Sequence, residues 1–370
     1  MRKSLVASCV LVTATALLAV PPGGPKLVSV HSNLPPLADL KENIARYEEQ
    51  APFDGITVTM GVCDVFRDEA FTDGEIARFK DQAKLYAQIR FTQWKYNFLF
   101  VLVDQHTPKW FDDTYWDGVV KNWGTAAKFA KQLSMVGICF DPEGYGVYPV
   151  QSHWKSDWWL KKDDKHTAKE YLDVARKRGR QVGEAVGKEF PEIVLWSYYG
   201  WSFGADLMGE FCNGILEVMP SKMKLIDGDE WTGYCAKNEG AYAWMKERNR
   251  TGCGMLDKKL VTKHNAQGGF APSFYLDAYA FPDKCDCLHP HIKNVQSKVK
   301  YFADNLKAAR RMADGGHIWI YGERNTWWTP SEKQLNELQK AGKQPRPTWE
   351  DAVPGIREAL FGDRLKAKRP

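Results

Sequence analysis

The chain has 370 residues, 44% of them hydrophobic and 26% charged, with a formal net charge of +5. Those proportions belong to a globular chain with a sizeable core and exclude a linker or a disordered tail. The positive charge is spread along the sequence: no basic block marks a nucleic-acid surface, and the basic end at 364–369 reads as solvated.

The chain begins with Arg2 and Lys3, then an apolar or small run over 5–20 that stops before Pro21, Pro22, Gly23 and Gly24. This pattern predicts a signal peptide over 1–22 and a secreted or periplasmic mature chain. The run is shorter than the roughly 20 residues a membrane-spanning helix needs, and no second run is long enough. Of eight cysteines, Cys9 leaves with the leader, so an odd number remains and at least one thiol stays outside any intramolecular pair. Cys285 and Cys287 read as a loop disulfide or two inert thiols, because no second pair or HxxxH spacing completes a zinc site.

Beyond the leader, apolar runs alternate with amphipathic stretches, the sign of βαβ units. Strands are predicted over 26–31, 55–60, 98–103, 136–141, 193–198, 224–227, 270–277 and 317–321. The seventh contains Pro272, which cannot donate to a ladder. Helices are predicted over 37–49, 73–87, 124–133, 168–190 and 295–313. Eight parallel strands with helices between them close most simply into a (β/α)8 TIM barrel, since an open sheet of that width has two edges to protect. No glycine-rich phosphate loop follows the first strand, which argues against a doubly wound nucleotide-binding sheet. A single α/β barrel domain over 23–370 is therefore expected.

Barrel enzymes place their chemistry at the C-terminal ends of the strands. The fourth strand runs into Asp141, Pro142, Glu143, Gly144 and Tyr145, and the two acids share a face if the strand persists. The sixth runs into Asp227, Gly228, Asp229, Glu230 and Trp231, and the eighth into Glu323, Arg324, Asn325, Thr326, Trp327 and Trp328. Glycoside hydrolysis uses two carboxyl groups flanking the scissile bond. Glu143 is the predicted acid, Glu323 across the barrel its predicted partner, and Asp227 or Asp229 the reserve. Asp141 is predicted to tune Glu143, because a like charge raises the pKa of one of a carboxylate pair. The competing account is that strand-end acids bond loop amides or cap the next helix.

Many of the fifteen tryptophans lie just past strand ends. Trp201, Trp231 and Trp327 are predicted to stack on sugar rings, with Asp104 and Arg324 as polar contacts, whereas Trp154, Trp158, Trp159 and Trp349 read as packing residues. These residues resemble secreted TIM-barrel glycoside hydrolases, in which a glutamate after the fourth strand is the acid/base. The run 137–145 (GICFDPEGY) is similar to the Asp-x-Glu strand of chitinase-like barrels, where the glutamate is the acid and the aspartate steadies the substrate. That family carries further aspartates where this chain has Val136 and Cys139. Barrels with an Asn-Glu pair on this strand have Asn where Pro142 stands. The resemblance implies a carbohydrate substrate and no cofactor. Two other classes remain open: a non-catalytic carbohydrate-binding barrel, and a metal-dependent hydrolase or lyase using Asp104, His106, Asp141 and Asp227, for which no HxH or HExxH spacing is present. No GxSxG elbow supports a serine nucleophile.

Overall fold

The computed structural model describes residues 24–30, 34–61, 63–104, 106–147, 149–281 and 294–366. The predicted leader, the end of the first predicted strand at His31, and Cys285 and Cys287 lie outside the described residues. Nine strands are formed: β1 (Lys26–Ser29), β2 (Gly55–Val58), β3 (Phe98–Asp104), β4 (Gly137–Gly144), β5 (Val194–Ser197), β6 (Lys224–Asp227), β7 (Gly268–Phe270), β8 (Ser273–Tyr275) and β9 (His317–Tyr321). All pair in parallel, in the order β7-β6-β5-β4-β3-β2-β1-β9-β8.

The two ends of that order are consecutive in the chain, with only Ala271 and Pro272 between them. They are one barrel strand, the predicted seventh, in two pieces. Proline supplies no N–H, and here the chain passes its hydrogen bonds from one neighbour to the other. The Ala271 N–H donates to the Asp227 carbonyl at 3.0 Å, while the Pro272 carbonyl accepts from the Trp319 N–H at 3.0 Å. The eight-stranded (β/α)8 barrel closes through this break. The prediction needs correction at its far end, because Asp277 belongs to the helix Leu276–Ala280, not to the strand.

Helices follow the strands on the outside. The helix Asp113–Gln132 begins well before its predicted start at 124. Asp112 caps it by accepting from the Tyr115 N–H at 3.0 Å, and Trp116, Val119, Trp123, Ala126, Ala127 and Ala130 form its buried stripe. Gly118 and Gly124 weaken the local propensity, and packing overrides it. The helix Ala168–Glu189 lies so close to Asp206–Val218 that a Cβ at Gly179 would meet the Phe211 carbonyl oxygen at 2.0 Å, so only glycine fits there. Among the described residues no helix is long and apolar enough to cross a membrane.

Side chains inside the barrel change character along the strands. Near the N-terminal end, Phe98, Trp196 and His317 meet with ring centroids 4.5–5.3 Å apart. Burial pushes the His317 imidazole down to about 3, so it packs as a neutral ring. Two residues further along their strands, Tyr198 stacks on Trp319 at 4.7 Å. The next level carries Asp141 on β4 and Tyr321 on β9. Period-two alternation thus raises each strand from an apolar floor to a polar mouth.

Candidate active site

β4 extends through Gly144, although its pairing with β3 shifts register past Asp141, and Asp141 and Glu143 come together at the Tyr145 hydroxyl. Asp141 is buried and accepts from the Glu143 N–H at 2.9 Å through Oδ1. The Tyr145 hydroxyl lies 2.8 Å from Asp141 Oδ2 and 3.0 Å from Glu143 Oε2. Below them, a Cβ at Gly144 would meet the buried His153 ring at 2.5 Å, and the Trp154 indole N–H holds the Pro142 carbonyl at 2.8 Å. The strand end is therefore fixed from beneath. Burial, then the charge of Glu143, pushes Asp141 up to about 7; burial also raises Glu143, against the Tyr145 hydroxyl.

The carboxyl group that the structure couples to this pair is Glu230, which the sequence reading passed over in favour of its neighbours. It is 8% exposed and Tyr234 donates to its Oε1 at 2.6 Å. Burial raises it well above the ordinary carboxylate range, the charges of Glu143 and Asp141 raise it further, and the Tyr234 and Tyr199 hydroxyls oppose the shift. Its placement follows from the two aspartates before it. Asp227 accepts from the N–H groups of Ser202 and Asp229, each at 2.9 Å, and from the Ser202 hydroxyl. Asp229 then turns the chain at φ 40° into the short helix Glu230–Tyr234. Asp229 is itself buried, pushed up to about 7 by burial and by Asp227, with Arg248 at 3.6 Å opposing. Both aspartates build the loop; Glu230 is what the loop presents. The signal for it was the spacing of Glu230 and Tyr234, one helical turn apart.

The other predicted residues are distributed differently. Glu323 is exposed; its N–H donates to Asp277 Oδ2 at 2.7 Å, and the Tyr321 hydroxyl donates to its Oε1 at 2.6 Å. Arg324 pairs with Asp277 Oδ1 at 3.3 Å. Asp104, at φ 52°, offers its carbonyl to the Tyr145 N–H at 2.7 Å and so ties the β3 loop to the β4 loop. His106 pairs with Asp64 at 3.0 Å; burial raises that carboxyl to about 6. Among the described residues no group of three or more His, Cys, Asp or Glu side chains is arranged to hold a metal ion.

Trp231 is 55% exposed beside Glu230, but Trp201 and Trp327 are 0% and 2% exposed and have no face open to a ligand. Trp201 donates to Asn213 at 3.2 Å, and Trp327 packs on Phe53 and Phe361. Tyrosines crowd the mouth instead, Tyr275 and Tyr321 partly exposed and Tyr234 buried beside them. Tyr234, Tyr275 and Tyr321 lie nearly parallel, with centroids 4.9–6.3 Å apart, and Glu230 contributes to raising the Tyr321 phenol.

No family model and no curated protein matches the chain. Among solved structures, a GH5-4 broad specificity endoglucanase from an uncultured bacterium is similar over 87% of this chain and 85% of its own, at 11% identity and a TM-score of 0.45. An exo-beta-1,4-mannosidase from Opitutaceae bacterium strain TAV5 is similar over 92% of this chain, at 10% identity and a TM-score of 0.43; this chain covers 60% of its length. Morphinone reductase in complex with tetrahydroNAD matches over 87% of this chain and 88% of its own, at 11% identity and a TM-score of 0.41.

Proposed function

We propose that the protein is a glycoside hydrolase acting on an extracellular polysaccharide or oligosaccharide, with Glu143 and Glu230 as its two catalytic carboxyl groups. The observation that carries this reading is that Asp141, Glu143 and Glu230, at the ends of β4 and β6, are all raised by burial, with Glu143 raising Asp141 further and both of them raising Glu230. Burial and like charge both oppose ionising all three at once, which favours a carboxylic acid beside a carboxylate. Glycoside hydrolysis asks for that pairing, because one group protonates the leaving oxygen while the other meets the anomeric carbon or its attacking water. Glu143, the more open of the two, delivers the proton. Glu230, held by Tyr234, takes the sugar side, and it ionises to do so once Glu143 carries the proton and its charge no longer opposes. Tyr275, Tyr321 and Trp231 offer faces for pyranose C–H groups.

Glu143→Gln, tested against a panel of neutral, amino and acidic polysaccharides, is the direct check. Turnover on the substrate that the wild type cleaves falls by about 10³-fold or more, while the melting curve stays close to wild type. Retention of cleavage by Glu143→Gln removes the reading. Full retention in chelator is expected as well.

A further inference from the structure

The Tyr145 hydroxyl is within hydrogen-bonding distance of two carboxyl oxygens, Asp141 Oδ2 at 2.8 Å and Glu143 Oε2 at 3.0 Å. A phenol carries one proton and can donate to only one of them. The second contact is a hydrogen bond only if that carboxyl group is protonated and donates to the phenol oxygen; two carboxylates would leave one oxygen against the phenol lone pairs. Asp141 Oδ1 already accepts the Glu143 N–H at 2.9 Å, so Oδ2 is the oxygen left to carry a proton. Of the two possible orders, the deeper burial of Asp141 favours Asp141 donating to Tyr145 and Tyr145 donating to Glu143.

We infer that Asp141, Tyr145 and Glu143 form a proton relay that refills Glu143 after it has protonated a leaving group. The O–H bond at Asp141 Oδ2 breaks as one forms at Tyr145 Oη, and the original Tyr145 O–H bond breaks as one forms at Glu143 Oε2. Asp141 ends as the carboxylate, Glu143 as the acid, and the phenol is unchanged, so no charge builds on the tyrosine. Asp141 then regains a proton from solvent. The relay rests on the reading of Glu143 as the acid, and Asp141 and Tyr145 act only through it.

The surroundings suit a proton stored at Asp141. The titratable groups facing it from other elements are Cys63 after β2, Tyr198 and Tyr199 after β5 and Glu230 after β6, with Cys139 below it on β4. Each of these is raised by burial, and none brings a positive charge. Burial and the neighbouring acids also raise the Tyr145 phenol, which therefore hands a proton on without becoming a phenolate.

Infrared difference spectroscopy of the ligand-free protein tests the storage step without any substrate. The wild type shows a protonated-carboxyl C=O band that titrates near pH 7, is lost in Asp141→Asn and moves in Tyr145→Phe. Absence of the band below that pH, or its indifference to Tyr145→Phe, overturns the relay. Tyr145 is half exposed, so the phenylalanine variant is expected to fold. On the polysaccharide identified by the panel, Tyr145→Phe lowers kcat by about 10²-fold with KM unchanged. Its rate then depends linearly on deuterium fraction, where the wild-type dependence is curved because two protons move. A wild-type kcat and a curved dependence in Tyr145→Phe sink the relay while leaving Glu143 as the acid. Cleavage by Glu143→Gln sinks the underlying reading and leaves the spectroscopic result to stand alone.

Discussion

Two arcs of the barrel mouth handle their carboxylates in opposite ways. On the arc from β4 to β6, Asp141, Glu143 and Glu230 face one another with tyrosine hydroxyls for company, and all three are raised. On the arc from β8 to β9, Asp277 takes the Glu323 N–H and the Arg324 guanidinium, and Glu323 extends toward solvent with Tyr321. The first arrangement gathers buried carboxyl groups with raised pKa values, the kind of cluster that marks functional sites. In the second, burial and Glu323 raise Asp277 too, but the Glu323 N–H and the Arg324 guanidinium oppose the shift, and the group organises a loop. Sequence spacing makes both arcs look alike, since each is an acid beside glycine and aromatics at a strand end. Partner chemistry separates them.

Paired substitutions break this contrast most sharply. Glu230→Gln is expected to cost about 10³-fold in kcat, whereas Glu323→Gln costs about tenfold or less, the worth of one hydrogen bond to a bound sugar. The measurement is kcat and KM on the same polysaccharide, with melting curves of both variants. If Glu323→Gln proves the more damaging, the catalytic pair is the one expected from the sequence, and the contrast between the arcs is reversed.

A smaller effect appears in stability. Asp141 is pushed up to about 7 from an unfolded value of about 4, so the folded protein binds this proton more tightly than the unfolded chain between those values. Its contribution is intact below about pH 4 and is lost as the pH rises through 7. Asn at 141 keeps the shape and the hydrogen bonds without titrating. The melting temperature of Asp141→Asn relative to wild type should therefore climb by a few °C between pH 4 and pH 8, each pH unit of that window weighing about 1.4 kcal/mol at most. A constant difference across the range would mean that Asp141 is ionised in the folded protein.

Much of the frame was legible in the sequence because it rests on period. Strands such as FLFVLV and HIWIY are continuous apolar runs, and the parallel barrel buries them on both faces. Period two also drew Asp141 and Glu143 together, but what joins them is the Tyr145 hydroxyl past an irregularity in the β3–β4 ladder. What escaped depends on tertiary partners. The early start of the helix Asp113–Gln132 is decided by the Asp112 cap and a tryptophan face. In the run Asp227-Gly228-Asp229-Glu230, composition alone does not say which acid the loop consumes; Ser202, distant in sequence, claims Asp227 and leaves Glu230 to the mouth. The tryptophans misled for a related reason: Trp201 and Trp327 fill space under their loops, and the rings beside Glu230 and Glu323 are tyrosines whose hydroxyls serve those acids.

Asp277 joins the two halves of the quieter arc, and its loss is expected to be felt between the extremes. Asp277→Asn keeps an acceptor for the Glu323 N–H but gives up the charge that holds Arg324, which is about half exposed and therefore weakly bound. A severalfold rise in KM with little change in kcat is the expected outcome, because the loop moves while Glu143 and Glu230 do not. A fall in kcat as large as that of Glu230→Gln would place Asp277 in the chemistry itself.

The mildest expected effect belongs to Trp231. At 55% exposure it contributes little to the core, so Trp231→Ala should shift stability by no more than about 0.5 kcal/mol. Its neighbour Glu230 is held by the Tyr234 hydroxyl and by the Ser273 hydroxyl on its carbonyl at 2.9 Å, neither of which involves the indole. Removing the ring should therefore leave kcat on a short oligosaccharide untouched and raise KM only for longer chains that extend past the β6 loop. The worth of one stacked ring, about 1 kcal/mol, sets that rise at roughly fivefold. Equal effects on short and long substrates would place Trp231 against the reacting sugar itself, and the polymer would then leave the mouth over the tyrosines of the opposite arc.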